Sequence, residues 1–281
     1  MTPLSDVESE VPMLYRERAS IVATLVVLGL ILAVFLQFPT QTYDLSVLGS
    51  PLTITISQTA LMAALLVGIT CAGTDSIVRS HPVARRLEAR HSFVTWTLPG
   101  LTALLAAVLL PQAPTQLYRV IGFIVTGLIL ILVISAEYYT VDPANSRYLA
   151  ARLSLNAWAY LLALVIFVLI YSAKARSLIS ATGVTLVSTL LALEFLRGAG
   201  RGFSRTALYA AIAGLCTGEI VWAMNYWRIS GITGGLILLL GFYVFTGLAN
   251  QQLQDRLTRR VMVEYAIVAL VGLVVLLRFG P

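Results

Sequence analysis

Long blocks of apolar residues, each closed by a few polar or basic positions, dominate this chain. Several approach or exceed the roughly 20 residues that a helix needs to cross the hydrocarbon core of a bilayer. Nine such segments are read, at about 19–38, 57–78, 92–110, 118–140, 153–171, 178–196, 206–227, 231–250 and 261–279. The pattern predicts an all-α fold, a polytopic membrane bundle of about nine helices preceded by a tail at 1–18. A transmembrane barrel is not supported, because its strands alternate over about 10 residues. Loops between the segments are short, as expected for antiparallel neighbours in one transmembrane domain over 19–281.

Composition agrees with that pattern. Hydrophobic residues make up 58% of the chain and charged residues 11%, with a mean hydropathy of +0.88. Soluble proteins carry about a quarter charged residues. The first segment reads as a retained anchor, since its flank is mixed in sign and no small-residue cleavage site follows. Cys71 and Cys216 lie inside apolar segments without ligand spacing, so they are expected to pack as small apolar residues.

The net charge of +6 is carried almost wholly by arginine, Lys174 being the sole lysine. With the N-terminus placed inside, fourteen basic residues fall on the cytoplasmic side and five outside: Arg119, Lys174, Arg176, Arg228 and Arg278. Basic residues in short loops set orientation, so the split predicts a cytoplasmic N-terminus and an external C-terminus. It also explains the charge without nucleic acid. The arginine-rich, lysine-poor usage points to a prokaryotic cytoplasmic membrane.

Two loops carry further pattern. Residues 37–58 alternate on either side of Gly49-Ser50-Pro51, which predicts a β-hairpin on the outer side. Residues 78–91 are basic and would lie along anionic lipid headgroups. A 1+4+4 plan of parallel repeats is also suggested, with 57–70 sliding over 182–195 and 127–139 over 235–247.

Acidic residues within the membrane are functional candidates unless depth or a local partner accounts for them. Asp75 is four residues from Arg79, Glu264 four from Arg260 and Glu194 three from Arg197, which are same-face helical spacings. Glu137 falls at the inner interface beside Tyr138 and Tyr139. Glu219 has no basic residue within four positions and stands about 14 Å from Arg228 along the helix. Its insertion would cost on the order of 2.5–3.5 kcal/mol. Trp222 and Tyr226 follow it at helical spacing, with Asn225 alongside. The expectation is a substrate or proton site facing the bundle interior, formed by Glu219, Trp222, Asn225 and Tyr226. The loop "RGAGRGFSR" offers Arg197, Arg201 and Arg205 as contacts for an anionic headgroup.

Other chemistry is excluded by what the sequence lacks. His81 and His91 share one loop, so no bis-histidine haem sits in the bundle. No nucleophile elbow, zinc-protease helix or aspartate-rich metal cluster occurs, and no cofactor or metal is implied. Enzyme activity is disfavoured. Three functions remain: a transporter or permease for a small solute or lipid built on Glu219, a non-catalytic scaffold or subunit of a membrane complex, and a lipid-modifying enzyme using Glu137 or Glu194.

Overall fold

The computed structural model describes residues 4–36, 41–47, 50–86, 92–174, 177–199, 202–227 and 229–279. Its helices are α1 (Leu4–Phe35), α2 (Gln58–Ser80), the short α3 (Pro82–Arg86), α4 (Thr97–Leu109), α5 (Gln116–Tyr139), α6 (Tyr148–Ser172), α7 (Ser177–Leu196), α8 (Phe203–Met224), α9 (Gly231–Leu253) and α10 (Arg259–Phe279). Among the described residues nine helical spans are long and apolar enough to cross a membrane; α3 is not among them, and α4 reaches that length, as Phe93–Gln112, only together with the 3-10 turns that flank it. Their bounds lie within a few residues of the expected segments, with two differences that matter. Helix α1 begins at Leu4 and so runs back through the segment expected as a tail. Helix α8 ends at Met224, short of the expected 227.

Between α1 and α2 the chain forms two antiparallel strands, β1 (Gln41–Val47) and β2 (Ser50–Ile56), in a register that sets Gln41 opposite Ile56 and Val47 opposite Ser50. Ser57 then caps α2, its hydroxyl accepting from the Ala60 N–H. Buried threonines on several helices solve a common problem of apolar surroundings. Thr70, Thr74, Thr102, Thr217 and Thr246 each donate to the carbonyl four residues back, at 2.6–2.8 Å. The hydroxyl is thereby satisfied within its own helix.

Its contacts divide the chain at Leu155/Asn156 into two compact units. In the first, α1 buries Tyr15, Ala19, Val22, Ala23, Val26 and Leu30, each three or four residues from another of the set, which defines one helix face. That face meets Leu66 of α2, Ala103 of α4 and Leu130 of α5. In the second unit, Phe167 of α6 and Phe195 of α7 pack edge-on against Phe242 of α9, with ring centroids 6.0 and 5.9 Å away. The Tyr171 hydroxyl donates to the Met224 carbonyl at 3.1 Å, tying α6 to the end of α8.

Helices α7 and α8 approach most closely where α8 carries Gly214 and Gly218. A Cβ on Gly218 would stand 1.9 Å from the Thr185 hydroxyl, and one on Gly214 would stand 2.8 Å from the Thr185 carbonyl. Small residues let membrane helices gain contact area that lipid tails would otherwise supply. The face of α8 carrying Ala210, Gly214, Thr217, Gly218 and Val221 is therefore the buried one.

Candidate functional site

The feature with the most chemistry lies in the first unit, along the seam of α1 and α5. At its Tyr15 end a cavity of about 790 Å³ is lined by Arg16, Ser20, Ser135, Tyr139, Arg147 and Ser154, with Ile131 and Leu132 at its apolar margin. Arg147 is positioned by the turn after α5: its N–H donates to the Asn145 side chain at 2.9 Å. Its guanidinium donates to the Tyr139 hydroxyl at 3.0 Å and lies over that ring at 5.4 Å. Both Arg16 and Arg147 are exposed at the cavity mouth. The arrangement offers cationic donors and serine hydroxyls to an anion beside an apolar wall of Ile131, Leu132 and Ala136.

Behind the mouth the cavity rests on a stack of rings. Tyr15 stacks on Tyr138 at 4.3 Å, its hydroxyl bonds that of Tyr139, and the His81 ring stands edge-on to Tyr138 at 4.6 Å. His81 follows the end of α2 and is 8% exposed. Its Nδ1 accepts from the Val83 N–H at 3.2 Å, which the neutral ring allows. Burial pushes its pKa below the ordinary 6.5, and the nearby Asp142 carboxylate opposes that only in part. A lowered histidine pKa contributes stability that is full above 6.5 and is lost as pH falls below it, because the unfolded chain takes up the proton first. The melting temperature of the detergent-purified protein should therefore drop as pH is taken from 7 toward 5. His81→Gln should flatten that slope, and an unchanged slope would show that His81 is not its source.

A second opening continues along the same two helices. It has a volume of about 590 Å³, shares Ile131 with the first, and is lined by Val27, Leu28, Phe123, Ile124 and Leu128 up to Arg119. Leu28, Ile124 and Leu128 are exposed, so the groove opens sideways to whatever surrounds the helices. At Arg119 it meets a third cavity of about 340 Å³, lined by Gln58, Thr59, Met62, Pro111 and the end of α1. Arg119 and Tyr139 are twenty residues apart on α5, or about 30 Å. That equals the hydrocarbon thickness of a bilayer, which is about 30 Å. The seam thus has an arginine near each end and an apolar stretch between.

The residues expected to form a buried acid site are placed otherwise. Glu219 lies on the exposed face of α8, with Trp222 and Tyr226 on the same stripe as Leu208, Ile212 and Leu215. The inward face was expected because polar groups usually shun lipid; here Gly214 and Gly218 take the inward side, and at 100° per residue Glu219 falls opposite. It also sits only five residues before the end of α8, about 7.5 Å, beneath the exposed rings of Trp222, Tyr226 and Trp227. Asn225 does not join it. The Asn225 amide donates to the Ser180 hydroxyl of α7 at 2.9 Å and so links two helices.

The buried carboxylates of the described residues are Glu137 and Glu194, 0% and 1% exposed. Glu194 pairs with Arg197 at 2.8 Å. The other two local pairs form as their spacing suggests, Asp75 with Arg79 at 2.8 Å and Glu264 with Arg260 at 3.0 Å. Asp75 also accepts from the Trp96 indole N–H at 3.2 Å. Of the three loop arginines, Arg197 is engaged with Glu194, Arg205 is exposed, and Arg201 lies outside the described residues. In the sequence the seam arginines Arg16, Arg119 and Arg147 stand out only as charges that orient the chain. A usable signal existed for Arg119, which stands one turn inside an apolar helix with no acid within reach along it.

Nine helical spans among the described residues, each long and apolar enough to cross a membrane, define a multi-pass helical membrane protein. The chain belongs to the DUF5656 family, described as a protein of unknown function, whose match spans residues 38–279 and so begins just after α1. No curated protein and no solved structure matches it.

Proposed function

We propose that the protein handles anionic membrane lipids, taking the headgroup at the Arg16–Arg147 mouth and guiding the lipid along the α1–α5 seam. The observation that carries this reading is the pair of openings that share Ile131, one rimmed by guanidinium groups and the other lined by apolar side chains. Ser20, Thr24 and Ser135 line the stretch around Ile131 and give a headgroup hydroxyl partners as it leaves the mouth. By the positive-inside argument this mouth faces the cytoplasm. Glu219 takes no part in this reading, since its side chain lies on the exposed face of α8.

The test is reconstitution into vesicles carrying a headgroup-labelled anionic phospholipid and a membrane-impermeant quencher. Protein-dependent exchange between leaflets is expected, and Arg147→Gln should slow it about ten-fold, the effect of losing one charge-assisted contact. Exchange no faster than in protein-free vesicles would remove the transport reading. A second reading, a subunit of a membrane complex, draws on α10. That helix has none of its membrane-length window buried and touches its own unit along one face only.

A further inference from the structure

We propose that Arg119 is the anchor for a lipid phosphate at the far end of the seam, with the headgroup in the 340 Å³ cavity and an acyl chain in the α1–α5 groove. This deepens the lipid reading above but concerns binding, not movement. The Arg119 side chain lines both openings at once. Its Nε is buried and has no hydrogen-bond partner among the described residues, and none of the described residues that line either cavity is a carboxylate. A guanidinium nitrogen removed from water without a partner is costly, and an anion seated there offsets that cost. The planar fork of arginine matches phosphate oxygens two at a time, which a lysine at this position would not do.

The two openings differ in the way a phospholipid differs along its length. Gln58 and Thr59 give the smaller one polar walls, suited to a phosphate and the alcohol esterified to it. The larger one is apolar from Val120 to Ile131 and faces outward. From Arg119 to Ile131 is twelve residues, about 18 Å along α5, close to one leaflet of a core about 30 Å thick. A free phosphate would use only the polar cavity and leave the groove without purpose. A lipid uses both, so the occupant is taken as a lipid.

The experiment measures phospholipid retained by the full-length protein after detergent purification, by native mass spectrometry, for the wild type and two variants. Arg119→Gln removes the anchor, and Leu128→Trp fills the groove while leaving the anchor in place. Phosphatidylglycerol retention should fall about ten-fold in Arg119→Gln, as expected for the loss of a charge-assisted contact, and by a similar factor in Leu128→Trp. Arg119→Lys should recover only part of it, and millimolar inorganic phosphate should not displace the lipid. Wild-type retention in a monodisperse Arg119→Gln protein would overturn the site. Displacement by inorganic phosphate, with Leu128→Trp unaffected, would overturn the lipid assignment in favour of a free anion. Arg119-dependent retention without leaflet exchange would remove transport and keep the site, whereas exchange with unchanged retention in Arg119→Gln would do the reverse.

Discussion

Gly214→Ala is expected to destabilise the second unit by about 3 kcal/mol, at the upper end of the usual cost of overpacking. The added methyl would stand 2.0 Å from the Thr189 hydroxyl, 2.8 Å from the Thr185 carbonyl and 2.9 Å from the Thr189 nitrogen. The hydroxyl can rotate away. The two backbone atoms cannot, so α7 and α8 must separate along their whole contact. In a membrane no water-driven term compensates, because lipid tails are as apolar as the helix faces they replace. Gly218→Ala should cost less, since its hardest contact, the Thr185 hydroxyl at 1.9 Å, is a side chain, and the Ala181 carbonyl stands off at 3.1 Å. Gly68→Ala is the control: nothing lies within 4 Å of its added carbon, and the gain in helix propensity is as much as about 1 kcal/mol. Unfolding midpoints in mixed detergent should rank Gly214→Ala lowest and Gly68→Ala at or above the wild type. Equal midpoints for the two would mean that α7 and α8 do not pack as described.

The same contact shows why some of this molecule is legible in its sequence and some is not. Segment length and hydropathy distinguish lipid from water, so the nine helices and the interfacial pairs at Asp75, Glu194 and Glu264 can be read directly. Hydropathy does not distinguish lipid from protein. On α8 the outward residues Leu208, Ile212 and Leu215 are more apolar than the inward Ala210, Gly214 and Thr217. Size, not polarity, decides which face packs, and the four-residue spacing of Gly214 and Gly218 is the signal that assigns it. An inward Glu219 follows only if polarity is taken as the guide.

The seam was hidden for a related reason. Arg119 and Arg147 look alike in a charge count, yet one has a buried nitrogen and the other reaches a tyrosine at a cavity mouth. What separates them is the placement of α1 against α5, a pairing between segments eighty residues or more apart. Loop charges fix which way each helix points and carry no information about which helices touch. Only the local pairs, three or four residues apart, escape that limit.

Arg197→Met is expected to cost about 3 kcal/mol, as when one partner of a buried ion pair is removed. Glu194 is 1% exposed and its carboxylate stands 2.8 Å from Arg197 Nε, whereas the Arg197 side chain keeps 20% of its surface open. The asymmetry sets the order of effects. Removing the guanidinium takes an ionic partner at 2.8 Å from a carboxylate held in the interior, while Glu194→Gln leaves a guanidinium that can turn toward the helix end and water. Glu194→Gln should therefore cost less than half as much. The double variant Glu194→Gln/Arg197→Met removes both charges and keeps the arginine stem, so it should recover most of the loss. A double-mutant cycle on unfolding midpoints measures this directly, and additive single costs would show that the two side chains act independently. The cycle also bears on function. Were Arg197 an anchor for anionic headgroups, Glu194→Gln would release it and increase lipid retained by the purified protein. With Arg197 held in the fold as an internal partner, retention should follow Arg119 and Arg147 and be unchanged by Glu194→Gln.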